Sequence, residues 1–384
     1  MKKTSRPSPF KYCKIFPPIG VARVGNSPEE FFIGPEAPGM VPDAGGTFKD
    51  KSGRIKRQAA RFRVYAFGDG GKVAELTLDH KDVASIEWKV TLANKKAAWF
   101  QFGGADLVAD ILRGKPSESK ILRNPEITGT ERDKLVIGPV AATARGASIE
   151  PQPLDANFVA PPSEINMPVH LGDLRTDESG RLLVLGGRGD SGTAWPENPV
   201  TNYANNNGWY DDVSDGPVEV EVTLKNGEKL PVQGRSWVVV APPHFSPHTE
   251  NVVTLHDVLA EIAVAHKLEW PEHELGPKPA TDVSFTRDVY PILKRMTDYQ
   301  WVSARSHRGH SAGKRGDFFS EETIRKLASA AEAKKPGSLH KGIFQRLRTP
   351  IIHPPFDASR KPHAGLLDPD SQEAVNQANL TYMP

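Results

Sequence analysis

Val218-Glu219-Val220-Glu221-Val222-Thr223-Leu224, the pair Asn226-Gly227 and the return segment Leu230–Val240, ending Trp237-Val238-Val239-Val240, decide the fold class. Strict alternation of apolar and polar residues has the period of a half-buried strand and not of a helix. Asn-Gly supplies the positive φ angles of a tight hairpin turn. The same grammar lies upstream. Arg61–Phe67, the turn Gly68-Asp69-Gly70-Gly71 and Val73–Leu78 predict a second hairpin, and Val169–Leu174, Asp177-Glu178-Ser179-Gly180 and Arg181–Leu185 a third. Ala84–Ala93 reads as a further strand, and Ala105–Leu112 as the one helix of this part. Successive hairpins without helices between them predict a meander or sandwich and argue against a parallel α/β sheet.

Past Pro242-Pro243 the period changes. Thr254–Leu268 spaces its apolar residues helically, with Thr254 as N-cap and Asp257 in the first turn. Asp288–Trp301, Ser320–Lys335 and the short polar stretch Ser371–Gln377 predict further helices. The expectation is a β-rich α+β protein: a flexible basic arm over residues 1–14, a β-rich, sandwich-like domain over 15–243, and a helical, loop-rich basic segment over 244–384.

Composition bounds the function. Glycine and proline, 33 and 34 of 384 residues, exceed their usual joint share of about 12% and fit a turn-rich chain. No run of about 18 apolar residues predicts a membrane helix, and the N-terminus lacks a secretory leader. The single cysteine, Cys13, excludes an internal disulfide, a cysteine-rich zinc site and an iron–sulfur cluster. Net charge is +2, yet Trp301–His363 holds 13 Lys or Arg against 5 Asp or Glu. That excess reads as a solvated face or a contact with an acidic partner; the few aromatic residues there argue against nucleic acid.

Four constellations invite a functional reading. Gly187-Arg188-Gly189-Asp190-Ser191-Gly192 matches G-x-G-x-x-G after a strand, but Pro196 and Pro199 deny it the helix a dinucleotide site requires. A glycine-rich loop is the better reading, with Arg188-Gly189-Asp190 a chance adhesion tripeptide. His244, His248 and His256, and separately His307 and His310, have spacings that invite a metal test. Pro247 breaks any shared helical face in the first set, and Arg305, Arg308, Lys314 and Arg315 surround the second, so both read as ordinary histidines. Gly208-Trp209-Tyr210-Asp211-Asp212-Val213-Ser214-Asp215-Gly216-Pro217 gathers carboxylates without the calcium-loop pattern. It reads as a loop anchored by Trp209 and Tyr210 that launches the next strand at Asp215-Gly216-Pro217. Cys13 has no visible catalytic partner.

Three stretches carry a resemblance. Phe16-Pro17-Pro18-Ile19-Gly20-Val21-Ala22-Arg23-Val24-Gly25-Asn26-Ser27 with Glu29–Glu36, then Gly208–Val218, and last Asn379-Leu380-Thr381-Tyr382-Met383-Pro384 resemble the bacterial L-lysine 6-oxidase and glycine oxidase family in register. The resemblance covers that family's N-terminal half. It implies oxidative deamination of an amino acid's primary amine by O2, giving an aldehyde or oxo acid, ammonia and hydrogen peroxide. It also implies cysteine tryptophylquinone, made from a crosslinked cysteine and tryptophan in a C-terminal domain that this chain is expected to lack. No cysteine follows Cys13, so the chain is read as a fragment, inactive alone, with no catalytic, cofactor-binding or metal residue to assign. The partners implied are that C-terminal domain, a homo-oligomeric copy, a flavoprotein that matures the quinone and the amino-acid substrate, with neither nucleic acid nor membrane. Lysine, glycine and other amines stay open as substrates, as do cytoplasmic residence and a non-standard export route. The alternative class is a noncatalytic β-sandwich interaction protein.

Overall fold

A computed structural model of the chain describes residues 9–36, 42, 44–101, 122–162, 165–202, 205–244, 246, 249–250, 253–254, 257 and 284–345. The expected helices at Ala105–Leu112 and Ser371–Gln377, most of Thr254–Leu268, and the start of the basic arm lie outside these residues. The chain divides into two compact units, Met1–Gly103 with Glu118–Phe245, and Gly104–Ser117 with Ser246–Pro384.

The first unit is built on strands. β1 (Tyr12–Phe16), β2 (Ile19–Arg23) and β3 (Phe31–Ile33) precede the long β4 (Arg57–Phe67) and its hairpin partner β5 (Val73–Leu76). β6 (Val83–Asn94), β7 (Ile137–Arg145), β8 (Gln152–Phe158), β9 (Met167–Thr176) and β10 (Leu182–Gly186) follow. The small pair β11 (Ser191–Thr193) and β12 (Trp209–Asp211) comes before β13 (Ser214–Leu224) and β14 (Ser236–Ala241). One large sheet runs β7-β6-β13-β14-β2-β4-β10-β9-β8, with β1, β3 and β5 also pairing with β4. Its end strands β7 and β8 come together, so the mostly antiparallel sheet is curled nearly into a barrel. The two parallel joints are β2 on β14 and β3 on β4.

Alternation places the core inside this curl. Ile86, Trp88, Val90 and Leu92 of β6 and Val218, Val220, Val222 and Leu224 of β13 point inward into one apolar cluster. Trp88 is fully buried and donates its indole N–H to Gly180 O at 2.8 Å, tying β6 to the turn between β9 and β10. On the outer face Glu221 stands opposite Glu87. This like-charge pair is relieved by Lys229, 2.7 Å from Glu221, and by Arg145, 3.9 Å from Glu87.

The expected hairpins are present, with three differences. Tyr12, Cys13 and Lys14 are not part of an arm but open β1, where Cys13 is fully buried opposite Ala66 of β4. The segment after Asn226-Gly227 bridges only at Lys229 before leaving β13. Pro231 lacks an N–H, and residues 231–233 pair instead with Cys13, whose N–H donates to Pro231 O and whose carbonyl accepts from Gln233 N, both at 2.8 Å. The return strand β14 therefore begins at Ser236, not Leu230. At the other hairpin end, β13 begins at Ser214, one residue before the expected launch at Asp215.

The regular elements of the second unit, among its described residues, are helices. Tyr290–Asp298 continues into a 3-10 turn, Tyr299–Trp301, as expected. Thr254 and Asp257 form a reciprocal cap: Thr254 Oγ1 accepts from Asp257 N at 3.2 Å, and the Asp257 carboxylate accepts from Thr254 N at 2.7 Å. Ser320 caps Glu321–Leu327, but the expected helix Ser320–Lys335 breaks because Ser329 caps a separate turn, Ala330–Ala333. Leu293, Phe318 and Leu327 form this unit's apolar cluster.

Gly172 governs the β8–β9 edge. Its φ is +153°, and a Cβ there would lie 2.2 Å from Leu185 O. Gly172→Ala must therefore push β9 off β10; we expect a loss of at least about 2 kcal/mol of stability, read as a lower urea midpoint, and an unchanged midpoint would disprove the role.

Candidate functional site

β9 contains a bulge. Leu154 of β8 faces Gly172, whereas the next residue, Asp155, faces His170, so Leu171 is the extra residue. Val169, Leu171 and Leu174 all point into the core. In a regular strand, positions three apart face opposite sides; the bulge reverses parity, and His170 and Asp173 share the outer face.

A chain of charges results. Asp173 lies 2.5 Å from Arg57 Nη1 of β4, both side chains being buried. His170 Nδ1 bonds Asp155 Oδ1 at 2.6 Å, and its Nε2 stands 3.4 Å from Asp173 Oδ2. Burial works against the charged imidazole, but Asp173 and Asp155 outweigh it and raise its pKa above the ordinary value. Burial likewise opposes ionisation of Asp173, yet His170 and Arg57 pull its carboxyl down to about 2.

The glycine-rich loop lies beside this chain. Asp212, buried, accepts from Gly189 N at 2.6 Å and from Asp190 N at 3.1 Å. Gly187 passes between two acceptors: a Cβ there would meet Asp212 Oδ2 at 2.4 Å and His170 O at 2.6 Å. Burial raises the Asp212 pKa; the two N–H donors oppose this, and the charges of Asp190 and Asp211 add to it. Arg188 is thereby carried to a cavity of about 410 Å³ that it lines with Pro151, Pro153, Asp155, His170 and Asp173.

Two of the sequence constellations thus meet, through Asp212 and the loop 187–190. No helix follows that loop; Ser191–Thr193 enters β11, in keeping with the glycine-loop reading. Trp209–Asp211 is a strand, and its carboxylate is structural: Asp211 accepts from Asn94 Nδ2 at 2.8 Å and from Lys96 Nζ at 2.6 Å. Tyr210 packs on Phe158, and burial, then Asp190, raise its hydroxyl pKa. Asp215 is exposed and accepts from Trp237 Nε1 at 2.7 Å. His170, Asp155, Asp173 and Arg57 carry no spacing signal in the sequence: the bulge puts His170 and Asp173 on one face, and β4 brings Arg57 to them.

His244, His307 and His310 are the described members of the histidine sets. His248 and His256 lie outside the described residues; burial, then Arg23, lowers the His244 pKa. His307 is exposed, while His310 Nδ1 lies 2.9 Å from Gly316 O. Among the described residues no three His, Cys, Asp or Glu side chains converge as metal ligands. Asp155 and Asp173 sit on opposite nitrogens of His170 and so do not face one cation.

The charge chain gives a pH dependence of known sign. The His170 pKa is higher folded than unfolded, so its stabilisation is complete below about 6.5 and is lost as pH rises through the folded value. Asp173 contributes above about 4 and loses its contribution as pH falls toward about 2. Urea midpoints of the wild type should fall relative to those of His170→Gln as pH is raised above about 6.5; parallel profiles would refute the coupling.

Comparison with known proteins places this geometry. The family model described as L-Lysine epsilon oxidase N-terminal matches residues 16–240. L-lysine 6-oxidase of Marinomonas mediterranea is 34% identical over 323 residues, covering 75% of this chain and 43% of that protein. The structure of the epsilon-lysine oxidase from that organism aligns with a TM-score of 0.62 at 29% identity, covering 83% of this chain and 49% of the other. The crystal structure of its Schiff base intermediate with L-Lys gives 0.61 at 31% identity, over 83% and 48%. The chain spans less than half the length of these relatives. With the match running through the whole curled sheet, from the end of β1 into β14, the chain belongs to the L-lysine epsilon-oxidase N-terminal family.

Proposed function

We propose that this chain is the N-terminal module of an amino-acid oxidase of the L-lysine 6-oxidase type. Such an enzyme converts a primary amine with O2 to an aldehyde or oxo acid, releasing ammonia and hydrogen peroxide. The family match over residues 16–240 carries the reading. In it, the partners are a catalytic C-terminal domain, a second copy of the chain and a maturing flavoprotein, and the substrate is an amino acid such as lysine or glycine.

Cysteine tryptophylquinone, the cofactor implied, supplies an electrophilic carbonyl and an electron sink. Cys13 does not fit its sulfur position. The side chain is wholly buried, burial pushes the thiol up to about 11, and its backbone is held between β4 and residues 231–233. A substrate amine has no approach to such a residue. The quinone-forming side chains of this reading therefore lie beyond these 384 residues, and the module's part is to present a rigid sheet.

Peroxide production tests the proposal. The longest reading frame containing this chain, expressed with its genomic neighbours, should release hydrogen peroxide from L-lysine or glycine in a peroxidase-coupled assay and stain in redox cycling. The 384-residue chain alone should do neither. A longer product that is colourless and peroxide-silent with every amine tried would sink the oxidase reading and favour a noncatalytic β-rich binding protein.

A further inference from the structure

The cavity beside the bulge carries charges that the fold does not use up. Asp173 is committed to Arg57 and His170, and both Asp173 and Arg57 are buried. Asp155 spends Oδ1 on His170, but its side chain is 68% exposed, and no hydrogen bond or ion pair engages Oδ2 among the described residues. Arg188 is exposed at the same cavity, and no hydrogen bond or ion pair engages its guanidinium among the described residues. A carboxylate oxygen and a guanidinium fork that nothing engages among the described residues thus line a space of about 410 Å³.

We infer that this cavity is a binding site for a small zwitterionic amino acid, with Arg188 holding its carboxylate and Asp155 its ammonium group. A simple carboxylate would pair with Arg188 but face Asp155, and a simple amine would pair with Asp155 but face Arg188. Only a ligand bearing both signs satisfies both walls. Phosphate groups fit poorly, because Pro151 and Pro153 on the wall have no N–H to offer them. The bulge makes the site stiff: Asp155 is oriented by His170, His170 is backed by Asp173, and Asp212 holds the loop that carries Arg188. Such preorganisation favours affinity for a ligand of few atoms. The proposal goes beyond the oxidase reading, since binding here transfers no electron and requires no quinone.

Calorimetric titration of the full 384-residue chain, without oxygen, separates the two readings. Glycine and L-lysine are the probes, with acetate and methylamine as single-charge controls. Glycine and L-lysine should bind at least about tenfold more tightly than either control, and Arg188→Gln and Asp155→Asn should each weaken them at least about tenfold. Both positions are exposed, and circular dichroism with thermal melting verifies that the variants remain folded. Acetate binding as well as glycine would make this a plain anion site and overturn the proposal, as would affinities unchanged in both variants or no binding heat from either amino acid. Because no turnover is read, a failure here leaves the peroxide assay untouched, and a silent peroxide assay leaves this result standing.

Discussion

The buried ion pair between Arg57 and Asp173 is the constraint on which the outer face of the sheet depends. The pair joins β4 to β9 across the intervening β10, with Arg57 Nη1 also donating to Gly186 O at 3.3 Å. Removing two charges from water costs several kcal/mol per ion, offset only by close geometry and further hydrogen bonds. Both conditions require the three strands to keep one register. A second apolar cluster lies next to them: β3, laid parallel on β4, packs Phe31 and Ile33 against Ala59, Leu183 and Leu185. Leu183 and Leu185 are thus buried on the face opposite the main core, which is why every residue of β10 is buried.

The same pair gives the bulge in β9 its consequence. With Asp173 anchored to β4, one extra residue at Leu171 turns His170 to the same side, where Asp155 reaches it from β8. The histidine is then held between two carboxylates on opposite nitrogens, which favours its charged form over the neutral one. Structure and electrostatics are inseparable here. Loss of the bulge would return His170 and Asp173 to opposite faces and leave Arg57 with a carboxylate that had lost its second partner.

The family's opening stretch now has a structural explanation. Gly25 N donates to Gly187 O, Asn26 accepts from Ile55 N at 2.7 Å, and Ser27 Oγ donates to Asp50 at 2.9 Å, so the residues after β2 knit three loops together. Farther on, Glu36 sits between Arg61 and Arg63, and Arg63 and Arg181 share Glu75. Half-buried networks of this kind fix where a segment lies more than they add stability. The stretch is read most simply as the means by which β2 and β3 find β14 and β4, and none of its side chains lines the cavity beside His170.

The sequence by itself determined the strand-rich class, the hairpins at Gly68–Gly71 and Asp177–Gly180, the tight turn at Asn226-Gly227 and the caps at Ser320 and Thr254. Each is a local matter of period two, positive φ or a side-chain oxygen near a free N–H, so a few consecutive residues suffice to specify it. The glycine-rich loop was legible as a loop for the same reason, since prolines after it forbid a helix. Only tertiary structure decided the rest. Cys13 is buried because distant residues 231–233 pair with it, and β2 lies on β14 across more than 200 residues. His170, Asp173, Asp155 and Arg57 carry no spacing signal, because their meeting depends on a one-residue slip in the pairing of β8 with β9 and on a strand contributed from elsewhere in the chain. Register and parity are properties of pairs of strands, and a single strand's sequence does not contain its partner.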